Sequence, residues 1–487
     1  MIAIATRRAK LLSGSAAVAL LLAACNGAEE DEGAAPDEEV DEGVEDEDDE
    51  DDEEEPAADD EPVTLDVNDN AVRGGQNANI AEWMVEDVIP EFEQQMADEG
   101  RDVTINYIES AVDDFQTELA LDLSVGSGPD VFTVDQFWVA DLVAAGYLAP
   151  LSEVVGDEVE DWEGWEDMPE AVEAGFMIGD DRFGLPLGTD GRVLFFRSDL
   201  FEEAGLDPDW QPESWDDILE TARTLQAELD DVTPMQLNAG VSYEEATAMQ
   251  GTLPILLGTG EEVWTEEGWL GDNPALVETF GFYEELYSEE LADLDLQLAS
   301  QGRDQSFEQF SQGQVAILLE GDFFWRAVIN PDDGTFPIED RDDVVGWAAI
   351  PAQEPGAGIN GQDFVSASGG NGRTINPETD HPDVAWEFLE YTGSQEALEA
   401  FVEREPRITA SEQINEVAIG DDPLLSFIAE EVLPITWYRP GFEEYPQVSD
   451  TLVEMTEDVV AGRRTPEEAS AEFGAQVEGL VGGDDVR

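Results

Sequence analysis

Three side-chain types are nearly missing from this 487-residue chain: lysine occurs only as Lys10, cysteine only as Cys25, and histidine only as His381. Each scarcity removes a class of chemistry. Without a lysine after residue 10 the phosphate-cradling loop GxxxxGK[ST] cannot be built. His381 is followed by Pro382, so Ser–His and Cys–His catalysis have no available base. A single cysteine permits no disulfide within one molecule and leaves no thiol for a metal or a nucleophile. The zinc pattern HExxH is absent. The one candidate calcium loop, beginning Asp66-x-Asn68-x-Asn70, carries Ala71 where the turn needs glycine and Asn77 where the bidentate glutamate belongs, and is rejected. Long hydrophobic runs are scarce as well, and the run over 11–22 is too short to span a membrane.

Acidic residues are what the chain has in excess. Aspartate and glutamate number 119 and the formal charge is −100; 23 of those acids fall in 29–61, which leaves 96 against 16 arginines and a net charge near −80 beyond residue 61. Such self-repulsion destabilises a compact state in dilute buffer. At molar salt the Debye length falls to about 3 Å and the repulsion is screened. This balance, with lysine all but eliminated, points to an extreme halophile. Every face would repel phosphate, which excludes nucleic acid as a partner. The length suffices for two domains, each with a full core.

Residues 1–24 read as a targeting segment: Arg7, Arg8 and Lys10, an apolar run, then small residues. Leu22-Ala23-Ala24-Cys25 resembles a bacterial lipobox, which implies that Cys25 becomes the lipid-bearing mature N-terminus. Thr6-Arg7-Arg8 followed by Leu11-Leu12 resembles a twin-arginine export signal. Residues 25–62 are almost entirely Asp, Glu, Gly, Ala and Pro. They cannot bury enough apolar surface to order themselves, and they predict an extended tether.

The stretch 128–151, GPDVFTVDQFWVADLVAAGYLAPL, organises the rest. A short apolar run (131–134) predicts a buried strand; Asp135-Gln136 ends it, and a helical pattern follows until Gly146 and Pro150. Polar residues at a strand's carboxyl end, beside a helix start, are where open α/β sheets bind ligands. Strands over 63–67 and 103–108 and helices over 79–96 and 115–125 precede it, an order that predicts a mainly parallel sheet. The segment resembles the "PDVF..D..W...L...G.L.PL" pattern of family 1 extracellular solute-binding proteins, the sugar-capturing subunits of ABC importers. Further matches follow in order: RFGLPLGTDGRVLFFRSDL at 182–200, Glu213-Ser214-Trp215 at a helix start, Gly321-Asp322-Phe323-Phe324-Trp325 after a strand, Gly369-Gly370, Pro406-Arg407, and GRRTPEEA at 462–469. Asp190-Gly191-Arg192 resembles the trehalose/maltose-binding branch.

The resemblance implies a two-lobed periplasmic-binding-protein fold of the α/β class (type II, maltose-binding-protein-like), with lobe one over 63–188 and 366–408 and lobe two over 189–365 and 409–487. It implies a lipid-anchored monomer on the outer face of the membrane, with no cofactor and no catalysis, delivering a di- or oligosaccharide to an ABC permease. Sugars present hydroxyls at their edge and apolar C–H faces, so their site needs carboxylates and aromatic rings. The expected ligand-binding set is Arg73, Asp113, Asp114, Asp135 and Gln136 from lobe one, with Asp190, Gly369, Gly370 and Arg407 near the crossovers. Lobe two would add Gly321, Asp322, Phe323, Phe324, Trp325, Trp437, Tyr438 and Tyr445. Two other classes stay open: a secreted glycosidase or lyase, since 119 acids pair by chance everywhere, and a purely structural surface lipoprotein. A binder leaves its sugar unchanged; a hydrolase releases reducing ends.

Overall fold

A computed structural model describes residues 62–487 apart from 76, 180, 333 and 421, and apart from the side chains of 112–114, 170 and 171. The expected targeting segment, Cys25 and the expected acidic tether lie outside the described residues.

The first lobe is built on a five-stranded sheet in the order Val103–Glu109, Val63–Asp69, Val131–Asp135, Asn371–Ile375, Leu185–Pro186. The first three strands run parallel, as the helices between them require. The last two pair antiparallel because the chain re-enters this lobe from the other one. The helix expected over 79–96 runs over 78–98, with a π-helical turn at Met84–Val88 just before Pro90. Pro90 lacks the N–H that a regular ladder would use, and the turn accommodates that gap. Ile80, Trp83, Met84, Val88 and Phe92 are all buried, which is the apolar face that their spacing predicts. They pack with Phe388 and Phe401 in the lobe's main core.

The second lobe is built on a four-stranded sheet in the order Val345–Ala348, Arg192–Arg197, Val315–Gly321, Thr233–Gln236. Every residue of Val315–Gly321 is buried, as suits a central strand: five apolar residues lead to Glu320, whose carboxylate pairs with Arg303 at 2.7 Å. Ser214 caps Trp215–Glu228 by accepting from the Asp217 N–H at 3.2 Å. Thr465 and Glu468 form a capping box at Pro466–Val481. Among the described residues no helix is long and apolar enough to cross a membrane.

The chain crosses between lobes in three neighbouring segments. Gly188 bridges to Thr409, and the Leu187 N–H donates to Asn371 O at 3.0 Å. Only glycine permits this approach: a Cβ on Gly188 would lie 2.2 Å from the Ile408 oxygen, and one on Gly370 would lie 2.6 Å from the Gly188 oxygen. The expected boundaries shift here. Position 366 falls inside strand Phe364–Ser368, which pairs with Thr436–Tyr438 in the second lobe, so the second crossing is Gly369-Gly370. After 408 the chain does not leave the first lobe at once. Ala410 and Ile414 return to that lobe's core, and packing on the second resumes at Ile419.

Candidate ligand-binding cleft

Both central strands end at a cleft. Val131–Asp135 delivers Asp135, whose Oδ1 accepts from the Phe137 N–H at 3.3 Å and starts the turn Gln136–Trp138. Val315–Gly321 delivers Asp322 and Phe323 from the facing lobe. The space between measures about 950 Å³ and is walled by both lobes and floored by the crossovers.

Four of the sixteen arginines beyond residue 61 line it: Arg192, Arg326, Arg407 and Arg439. A guanidinium in so shielded a place must be paired, and each is. Arg192 pairs with Asp190, and Arg326 with Glu405 and, at 3.2 Å, with Asp322. Arg407 shares Glu405 at 2.6 Å, and Asn79 Nδ2 donates to the same carboxylate at 2.5 Å. Arg439 reaches Asp135 of the other lobe at 2.6 Å and Glu245 of its own at 3.3 Å. Burial, with Arg326 alongside, pushes the Arg407 guanidinium well below its ordinary range. Burial also raises the Asp322 carboxyl, against the pull of Arg326 and with the push of nearby Asp190. Glu245 is raised by burial too, although Arg439, Ser449 and Tyr445 all favour its charged form.

Of the residues expected at a site, Asp135, Asp190, Phe323, Gly369, Gly370 and Arg407 line this cleft. Others do not. Arg73 stands outside, more than half exposed and paired with Glu109 at 2.6 Å, while its neighbours Gly74 and Gly75 form the rim. Gln136 is buried with its amide against Gly175, because a residue after the strand end turns the opposite way from Asp135. Gly321 is still within the sheet, opposite Arg192, and Asp322 is fully buried beneath the floor. The aromatic expectation needs most correction. The chain turns helical at Phe324–Val328, so after Phe323 the side chains rotate inward: Phe324 is core, and Trp325 donates to Asp422 Oδ2 at 3.2 Å under a covering Arg341. Trp437 turns to Glu262 (2.7 Å), and buried Tyr445 stands behind the wall, donating to Glu245 at 2.8 Å. Tyr438 is half-buried in its short strand, outside the lining but against the lining residue Thr189. The side chains of Asp113 and Asp114, at the start of Val112–Ser124, lie outside the description. The two rings that do face the cleft are Phe323 and Phe137, and no sequence pattern singles out the latter.

Asn79, Glu245, Gln250, Arg326, Glu405 and Arg439 also escaped sequence reasoning. The scarcity of arginine was the available signal, since a chain this acidic places its few cations where they are needed. Among the described residues no three His, Cys, Asp or Glu side chains are arranged to hold a metal ion.

Residues 37–399 match the family model described as bacterial extracellular solute-binding protein. The chain belongs to that family. This solute-binding protein is 20% identical to a binding protein of Brucella abortus over 79% of its own length and 87% of that protein's. Its fold is that of a Thermotoga lettingae ABC-transporter solute-binding protein bound with α-D-tagatose (TM-score 0.71, 22% identity, covering 86% of this chain and 99% of that one). It is equally similar to the GacH receptor of Streptomyces glaucescens, solved unliganded and with acarbose (TM-score 0.71, 19% identity, 87% and 100% covered). The solute-binding protein therefore has the two-lobed, maltose-binding-protein-like α/β architecture that the sequence pattern implies.

Proposed function

We propose that this solute-binding protein is the extracellular, lipid-anchored receptor of an ABC importer, which captures a sugar between its lobes, releases it unchanged to a membrane permease, and works at high salt. The observation that carries the reading is the cleft itself. Its guanidinium–carboxylate pairs offer donors and acceptors side by side, which is what vicinal hydroxyls require, and Phe137 and Phe323 offer apolar faces for C–H groups. The relatives that were solved with tagatose and acarbose support a carbohydrate. Asp135, Asp190, Phe323, Arg407 and the crossover glycines Gly369 and Gly370 are the contacts we assign, joined by Phe137, Glu245, Gln250 and Arg439. With two rings among the described residues of the cleft, recognition rests on hydrogen bonds at the sugar's edge more than on stacking.

Calorimetry at high salt over trehalose, maltose, longer glucans, xylo-oligosaccharides and monosaccharides tests this. Stoichiometric binding of one of them without release of reducing ends is the expected result; no binding overturns the sugar reading, and cleavage replaces it with an enzyme. The anchor is tested separately. Cys25→Ala should move the protein from the membrane fraction to the medium, and retention on the membrane without labelled lipid refutes the lipobox.

A further inference from the structure

One side chain touches both lobes and the second crossover between them. Arg439 follows strand Thr436–Tyr438 in the second lobe and is only 3% exposed. Its Nη1 is held by Glu245 of the same lobe, and Glu245 is itself fixed by the Tyr445 and Ser449 hydroxyls at 2.8 and 2.5 Å. Its guanidinium lies flat against the second crossover: a Cβ on Gly369 would come within 2.0 Å of Nη2. From there Nη2 reaches Asp135 Oδ1 of the first lobe at 2.6 Å, while the guanidinium sits 4.8 Å from the centre of the Phe137 ring. The Phe137 ring in turn approaches Tyr445 of the second lobe, with centroids 6.4 Å apart.

Asp135 therefore has two tasks. Its Oδ1 takes both Arg439 and the Phe137 N–H. Among the described residues Oδ2 has no hydrogen-bond partner, and 43% of the side-chain surface remains accessible in the cleft. We propose that Arg439 is a positioning residue for lobe closure: anchored by Glu245 and seated on Gly369, it grips the carboxylate that faces the ligand, so that one side chain, Asp135, both meets the sugar and, beside the second cross-lobe pair Arg326–Glu405, helps to hold the lobes together. This rests on the sugar reading for the role of Asp135 Oδ2, but the grip itself needs no sugar. With Arg439 buried and Asp135 partly so, molar salt screens this pair less than it screens exposed ions, which suits a receptor that works at high salt.

The test measures the distance between lobes directly. In the full chain carrying Cys25→Ser, Gln94→Cys on the first lobe and Gln305→Cys on the second bear spin labels, and pulsed dipolar spectroscopy in several molar KCl, without added sugar, gives the distance distribution. Both labelled positions are exposed. Losing a buried charge-assisted hydrogen bond shifts such a balance about ten- to a hundredfold. Arg439→Gln should therefore move population from the short distance to a longer, broader one. Gly369→Ala, which keeps the arginine but unseats it, should do the same, with thermal unfolding retained. An unchanged distribution in Arg439→Gln overturns the proposal. Should that variant fail to fold, Asp135→Asn removes the pair from its accessible end, and an unchanged distribution there overturns it equally. Failure of the sugar panel leaves this result standing, and failure of this test leaves the sugar panel standing.

Discussion

At the end of strand Val315–Gly321 three consecutive side chains take three directions: Asp322 under the floor, Phe323 into the cleft, Phe324 into the core. A sequence pattern that places an aromatic at this strand end can thus miss the cleft by one position. Phe323→Ala should remove an apolar face, and Asp135→Ala a charge-assisted acceptor worth about 1.5–3 kcal/mol. Each should weaken binding of whichever sugar the panel identifies roughly ten- to a hundredfold by calorimetry. If both variants bind as the parent does, the cleft assignment is wrong. Asp322 makes a separate prediction. Burial raises its carboxyl above the ordinary 3.8, so the folded state keeps a proton that the unfolded state gives up. A raised group contributes stability that is complete below the unfolded value and is lost as pH rises through the folded one. The melting-temperature difference between Asp322→Asn and the parent should therefore shift in favour of the variant as pH rises from below 3.8 toward neutrality; a difference that is constant with pH contradicts this.

Elements decide where these side chains can act. The crossovers are narrow because Gly188 and Gly370 let three backbone segments lie against one another. Gly188→Ala forces its Cβ onto the Ile408 carbonyl and should cost about 1–3 kcal/mol in denaturant unfolding, as overpacking does. Gly281 makes the opposite case. It lies inside helix Pro274–Ser288, and a Cβ at that position would have no neighbour within 4 Å, so Gly281→Ala should stabilise by roughly 0.5–1 kcal/mol. If the two substitutions act alike, the close-approach argument fails. Much of this scale was legible in the sequence. The strands at 63, 103 and 131 and the helix begun near 79 follow from local periodicity. The third crossing was not, because Ala410 and Ile414 are ordinary apolar residues whose choice of lobe is a matter of packing.

Over the whole molecule, all sixteen arginines beyond residue 61 are paired with carboxylates. Among the described residues no arginine is left over to offset the remaining acids, so the surplus charge must be screened by the medium. The unfolding temperature should climb as KCl rises from tenths molar to several molar, and a flat dependence would remove the argument for a high-salt protein. Not every pair should respond alike. Asp69 and Arg373 are completely buried, at 2.6 Å, and salt should leave them untouched, whereas the exposed cluster of Arg223 with Glu285 and Glu289 should weaken.

Charge excess, the near-absence of Lys, Cys and His, and the order of strands and helices were properties of the sequence alone, because composition and short-range periodicity are written locally. The polar strand end at Asp135 could be placed for the same reason, while Asp190, Gly369 and Gly370 were placed near the crossovers by the resemblance to the family. Which aromatics face the cleft, which lobe claims 366–368 and 409–418, and which arginine meets which acid were decided only by the tertiary structure. Arg192, Arg326, Arg407 and Arg439 come from distant parts of the chain, and Arg439 meets Asp135 across 304 positions. No local pattern records such a pairing; it exists because two lobes, each folded around its own core, set their strand ends face to face.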